Sequence, residues 1–392
     1  MSVTGFIAEL NPLHNGHKRV IDTIISRGDT AVCALGGNFA QRGEPTILSK
    51  QKRCEAALRC GVDLVVEIPV PWSMSTAQNF ALGGVSQLAA VGCENLCFGS
   101  ECGDLSVLLK AAELEEHPEY HERLANQLKT GISFATAREN VAKELGYPFE
   151  AFEKPNDTLA VEYIMAAKRI GWNANFIPIK REGAAHDADT PVENFISASL
   201  LREYLKKNQL GFAERYMPLE LRGFLKPEIL SDATRLETAI LAVLRSKAIE
   251  DFRNLPDISE GIENKLVFSV QVAQNLEDLY RAVKSKRYPL ARVRRMIFSA
   301  FLGIDSSFFG KRPPYVRVLG FSKSGEAILK NVSQTEIPVI TRVSQLKEAD
   351  EFSALTFSTE CRVTDLYALT FNPPQVCGNE YKMKLLKSED LL

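Results

Sequence analysis

The chain has 392 residues, 45% of them apolar, with 47 Lys and Arg against 49 Asp and Glu and a net charge of −2. That length gives about two or three domains of ordinary globular composition. The near-neutral balance excludes nucleic-acid binding through the field of the whole molecule, so any such contact must be a local patch. No apolar run approaches the ~20 residues of a membrane helix, and the first residues enter a strand without a signal-peptide pattern. Of eight Cys, six precede Gly103 and none forms a CxxC pair. Reduced thiols in a cytoplasmic protein, and no zinc site, are expected.

Val3 to Leu10 reads as a buried first strand, and Lys18 to Ile25 repeats apolar residues at helical spacing. Between them stands Asn11-Pro12-Leu13-His14-Asn15-Gly16-His17. His14 and His17 are three apart, on one face of a first helical turn. The same turn offers unpaired N–H groups and the positive end of the helix dipole. Gly16 removes a Cβ where a nucleotide would approach the backbone. Two imidazoles at a helix N-terminus make an anion site, and the phosphate chain of ATP is the expected anion. A helix cap carrying two surface histidines is the alternative.

The stretch Phe6-Ile7-Ala8-Glu9-Leu10-Asn11-Pro12-Leu13-His14-Asn15-Gly16-His17-Lys18 resembles the opening of the HIGH-motif nucleotidylyl transferases, and more closely the bacterial tRNA(Met) cytidine acetate ligases. That family activates acetate with ATP and acetylates the wobble cytidine of elongator tRNA(Met). It usually has Phe at the positions of Leu10 and Leu13. The resemblance implies a nucleotide site that includes Ile7, Ala8, Glu9, Asn11, Pro12, His14, Asn15, Gly16, His17 and Lys18, with Mg²⁺ supporting the triphosphate.

Thr30 to Leu35 reads as a second strand, followed by the polar loop Asn38 to Pro45. Ligands of open parallel sheets lie beyond the C-terminal strand ends, so Arg42 is a candidate for a carboxylate or phosphate. The resemblance to Gly-Asn-Phe-x-Gln-Arg-Gly-Glu-Pro supports this. Ser49 reads as the cap of a helix to Cys60, with Lys50 and Arg53 expected to be solvated. Val62 to Ile68 is a third strand, Thr76 opens a helix, and Asn95 to Phe98 is a fourth strand ending in Gly99. Gly99 is a turn glycine by position and an ATP contact by resemblance. Asp104 to Gly146 is charged and amphipathic, and His117 and His121 there suit a solvated acidic face. Asn156 or Asp157 caps the helix Thr158 to Ile170, and the resemblance places Asn156 on the nucleotide.

Asn175 to Ile179 is a fifth strand ending at Lys180-Arg181, two cations suited to polyphosphate, with Arg181 matching an ATP-binding arginine of the family. His186, in the loop beyond, is a weaker candidate. Ser197 or Ser199 caps a further helix carrying Arg202. These three resemble the Ser-x-x-x-Ile-Arg element over the leaving pyrophosphate, with Leu201 in place of Ile. The Lys-Met-Ser-Lys-Ser loop of class I synthetases is absent.

Strands and helices alternate to about residue 210, which predicts a Rossmann-like doubly wound α/β domain over 1–210. Residues 211–392 read as a mainly helical, basic region with short strands, including helices over Tyr216 to Arg245 and Leu255 to Val283. Arg281 to Arg295 holds seven cations and no acid: Arg281, Lys284, Lys286, Arg287, Arg292, Arg294 and Arg295. With Leu290, Val293, Ile297 and Phe301 buried, the arginines should face outward onto an RNA backbone. The resemblance covers most of the chain and is densest from Gly5 to Arg202. The expected reaction is acetyl-adenylate formation and acetyl transfer to the cytidine amine. An adenylyltransferase of cofactor synthesis, acting on a small phosphorylated substrate, explains the histidine motif equally well but not the basic region. A non-catalytic RNA-binding protein fits the intact histidine pair poorly.

Overall fold

The apolar runs of the N-terminal half become neighbouring strands of one sheet in the computed structural model, which describes residues 2–181, 195–259, 261–332, 337–346 and 349–391. β1 (Val3–Ala8) leads through a turn to α1 (Asn15–Ser26) and back to β2 (Thr30–Gly36). α2 (Lys50–Arg59), β3 (Leu64–Ile68), α3 (Ala77–Ala90) and β4 (Asn95–Ser100) follow, then three charged helices, α4 (Pro155–Ile170), β5 (Asn175–Lys180) and α5 (Ala198–Lys206). Local chemistry sets these boundaries. The side chains of Ser49, Thr76 and Ser197 accept hydrogen bonds from backbone N–H groups of Lys52, Asn79 and Leu200, satisfying donors that a helix start leaves open. α4 stops at Gly171, whose left-handed backbone (φ 72) suits glycine.

The remaining elements used below are α6 (Leu290–Leu302), β6 (Val316–Phe321), β7 (Val339–Ile340), α7 (Glu351–Tyr367) and β8 (Leu386–Lys387). These eight strands join one sheet, in the order β8-β6-β3-β2-β1-β4-β5, with β7 also paired to β6, while Phe39–Ala40 and Glu44–Pro45 form a separate two-stranded hairpin. Every pairing is parallel except β3 with β6. The sheet therefore does not end at residue 210. The largest apolar cluster likewise joins Leu64 and Trp72 to Ile297, Phe301 and Val363. The helices expected over 216–245 and 255–283 are broken into shorter ones, among them Glu237–Arg245, Ile262–Val272 and Leu276–Val283. Pro218 and Pro227 cannot continue a helix interior, because each lacks the N–H that closes a turn.

Two features shape the functional edge. β1 and β4 pair only at Thr4 with Asn95 and Gly5 with Leu96. Beyond that they part, opening a crevice at the point where strand order reverses, where doubly wound sheets bind ligands. The second is Arg53, expected in solvent but fully buried. Its guanidinium donates to the carbonyls of Glu9 (2.6 Å), Gly36 (2.8 Å) and Gly37, and its Nε to Leu48 (3.0 Å). One planar fork thus ties the ends of β1 and β2 together. Burial lowers its pKa to about 10, so it stays charged at neutral pH.

Lys50 is buried as well, a second departure from the expected solvated face. Its ammonium contacts the carboxylates of Glu67, Glu360 (3.3 Å) and Glu380. Arg317 completes the cluster through Glu380 and, at 3.9 Å, Glu67. These three acids are the one group among the described residues with metal-ligand spacing, and the Lys50 ammonium lies among them. No helix of the described residues is long and apolar enough to cross a membrane.

Candidate nucleotide-binding site

A cavity of about 260 Å³ occupies the crevice between the ends of β1 and β4. Its wall includes Ile7, Ala8, Glu9 and Asn11 from the β1 end, then His14, Gly16 and His17 from the start of α1. Arg42 comes from the hairpin Phe39–Ala40/Glu44–Pro45, Gly99 from β4, Asn156 from α4 and Arg181 from beyond β5. Ser197, Ser199 and Arg202 close the wall from α5. Residues as much as 195 positions apart thus converge as the sequence suggested. Pro12, Asn15 and Lys18 are not on this wall. Pro12 is buried in the turn, Asn15 is the first residue of α1, and Lys18 pairs with Asp22 and with Glu220 at 3.2 Å. His186 lies outside the described residues.

The two histidines cap α1 reciprocally. His14 Nδ1 accepts the Gly16 N–H (3.1 Å), and His17 Nδ1 accepts the His14 N–H (3.3 Å). This is a capping box in which imidazoles replace the usual Ser and Glu. A neutral imidazole whose Nδ1 accepts must carry its proton on Nε2. The rings lie 3.9 Å apart by centroid. Burial, with Arg181 nearby, lowers the His17 pKa to about 3. His17 is therefore a neutral donor throughout the physiological range, not a switchable cation. A Cβ on Gly16 would lie 2.9 Å from the His14 ring, so glycine is needed for the box to close.

The turn before α1 is held under tension. Leu10 takes a left-handed backbone (φ 47), which costs a non-glycine residue about 1–2 kcal/mol, and its fully buried side chain secures it. The turn presents Asn11, which is 3% exposed. Its Oδ1 accepts the Ile47 N–H at 2.8 Å, while its Nδ2 has no partner among the described residues. A buried unpaired donor costs about 1–3 kcal/mol, and the residue that carries it lines the cavity. Glu9 accepts the Gln41 N–H at 2.6 Å, and burial raises its pKa. Asn156 donates to Glu101 and accepts from Arg181 at 3.2 Å. Asp157 does not cap its own helix; it accepts from Ser100 Oγ and from the N–H groups of Glu101 and Cys102. Arg202 donates to the Asn11 carbonyl and to Glu44, both at 3.0 Å.

A family model described as HIGH nucleotidyl transferase matches residues 1–382. A tRNA(Met) cytidine acetate ligase of Thermoanaerobacter sp. (strain X514) is 35% identical, with 99% of this chain and 100% of that protein covered. One from Caldanaerobacter subterraneus subsp. tengcongensis is 38% identical over 95% of this chain and 96% of its own length. The chain belongs to the tRNA(Met) cytidine acetate ligases of the HIGH nucleotidyl transferase family. The crystal structure of Thermotoga maritima TmcAL bound with alpha-thio ATP superposes with a TM-score of 0.89 at 30% identity, covering 99% of this chain and 100% of that one. Its apo form gives 0.90 at 29% identity over the same shares.

Sequence reasoning missed several wall residues of this family member. Phe80, Phe98, Leu159 and Tyr163 give the cavity an apolar side, one suited to a flat base. Their signal in the sequence is only that of ordinary core positions. Gln41 and Glu44 were passed over beside Arg42. The basic segment also departs from expectation. Lys284 and Lys286 are exposed, but the arginines are engaged by the protein. Arg287 donates to the Leu128 carbonyl at 3.4 Å. Arg292 donates to the Asp257 carbonyl (2.7 Å) and Ser259, and covers the Tyr288 ring. Arg294 lies 3.6 Å from Glu44 and over Tyr280, and Arg295 pairs with Asp257 at 2.7 Å. The segment thus fastens α6 to its neighbours. At Gly43 (φ +74) the hairpin passes so close to α6 that a Cβ would lie 2.5 Å from the Arg295 nitrogen.

Proposed function

We propose that this chain activates acetate with ATP and transfers the acetyl group to N4 of the wobble cytidine of elongator tRNA(Met), as a cytoplasmic enzyme. The observation that carries the ATP half is the reciprocal histidine cap at the start of α1, which fixes both rings on the cavity wall with Nδ1 as acceptor. Adenylyl transfer places negative charge on the α-phosphate oxygens as the acetate oxygen attacks in line and pyrophosphate leaves. Preorganised donors stabilise that charge without reorganising. On this reading Ser197, Ser199 and Arg202, on the cavity wall, hold the leaving pyrophosphate, and Arg42 orients the acetate carboxylate. The amine of cytidine then attacks the acetyl carbonyl, AMP leaves, and the amine loses a proton.

The carboxylates on the cavity wall, Glu9 and Glu44, already accept from Gln41 and from Arg202. Mg²⁺ would therefore be carried mainly by phosphate oxygens and water, the usual arrangement for this ion, where it would neutralise phosphate charge. The test is ATP–pyrophosphate exchange without RNA. Acetate-dependent exchange supports the reading. Exchange that instead requires a small phosphorylated substrate would replace it with the cofactor-synthesis alternative.

A further inference from the structure

A separate cavity lies at the far edge of the sheet. β7 pairs with β6 at Val316 and Arg317, and β8 pairs with it at Gly320 and Phe321. Val318 and Leu319 between them have no strand partner on that side among the described residues, and they floor a groove of about 670 Å³. Its rim carries Lys330, Arg342, Lys384 and Lys387, all exposed. Glu326 is the one acid on the rim among the described residues, and it pairs with Lys330 at 3.1 Å. Arg342, Lys384 and Lys387 have no ion-pair partner among the described residues. Tyr381, 64% exposed, stands at the mouth.

We infer that this groove is a phosphate-backbone contact for the RNA substrate, separate from the ATP site. The inference rests on the tRNA-modifying function proposed above. In a chain of net charge −2, three cations with no ion-pair partner among the described residues, set around a concave surface, form the local patch that polyanion binding needs. The arginines of α6, by contrast, already hold carboxylates, carbonyls and rings of the protein. An exposed Tyr beside the cations adds a face on which an unpaired base can stack.

The experiment measures tRNA affinity over a salt series for the unmodified protein, for the Lys384→Glu/Lys387→Glu double variant and for the Lys384→Arg/Lys387→Arg double variant. Acetate-dependent exchange without RNA is measured on all three. The charge-reversed protein should bind tRNA at least tenfold more weakly. Its slope of log affinity against log salt should be lower by about 1.4–1.8, two contacts at roughly 0.7–0.9 each, with exchange unchanged. The arginine variant should bind as the unmodified protein does. Unchanged affinity and slope in the charge-reversed variant would overturn the groove assignment alone. So would tripolyphosphate binding that the reversal removes while tRNA affinity stays the same. Absence of tRNA binding by the unmodified protein would overturn the functional reading along with it.

Discussion

Replacing His17 with Asn separates the two tasks of that side chain. The amide oxygen of Asn lies near the place of Nδ1 and still accepts the His14 N–H, so the reciprocal cap persists. The donor at Nε2 is lost. Deleting one preorganised donor to a developing oxyanion costs about 10²–10³ in rate, roughly 2.7–4 kcal/mol, and His17→Asn should lower acetate-dependent ATP–pyrophosphate exchange by that factor. His17→Ala removes the cap too, adding about 1 kcal/mol of lost stability, which shifts the melting temperature of a chain this long by about 1 °C. The two variants should therefore share the catalytic defect and differ in melting temperature. Because burial lowers the His17 pKa to about 3, exchange in the unmodified protein should show no titration of this ring between pH 5 and 8. Exchange within threefold of normal in His17→Asn, or a loss appearing only in the Ala variant, would refute the donor role.

Arg53→Met should leave four carbonyls without their donor and destabilise the chain by about 3–5 kcal/mol, read by urea unfolding, with exchange lost as β1 and β2 part. Glu360, buried beside Glu67, has its pKa raised from near 4.5 to about 8. Its folded form holds a proton that the unfolded chain has released in that window, so its contribution to stability falls as pH rises from about 5 to 8, by at most ~1.4 kcal/mol per pH unit. Glu360→Gln should flatten that limb of the stability profile. Glu67, whose pKa is lowered with Lys50 and Arg317 beside it, acts oppositely, losing its contribution as pH falls below about 4. Arg295→Glu would set a carboxylate against Asp257 and should lower the melting temperature before any effect on RNA binding is seen.

What the sequence made legible was local. Strand, turn and helix around His14 and His17 follow from apolar spacing and capping, which depend on residues a few positions apart. Arg42, Gly99 and Arg181 come to one edge because parallel sheets bind ligands beyond the C-terminal ends of their strands, and Arg202 reaches that edge from α5. What stayed hidden depends on partners far along the chain. Lys50 and Arg53 have the spacing of a solvated helix face. Nothing near them announces that Glu360 and Glu380 arrive 310 and 330 residues later, or that the β1 and β2 carbonyls close on one guanidinium. The antiparallel insertion of β6 beside β3 was likewise unreadable, since a short apolar run does not name its neighbour. A count of cations in α6 does not disclose Asp257, Glu44 and the rings that those arginines contact.

The most direct measurement incubates the protein with labelled acetate, ATP and elongator tRNA(Met), then digests the RNA to nucleosides. Label in N4-acetylcytidine, dependent on ATP and released with AMP and pyrophosphate, is the result predicted here. Label retained only as acetyl-adenylate in the presence of that tRNA, or appearing in another nucleoside, would contradict the assignment of the acceptor. Absence of any acetate activation would contradict the account as a whole.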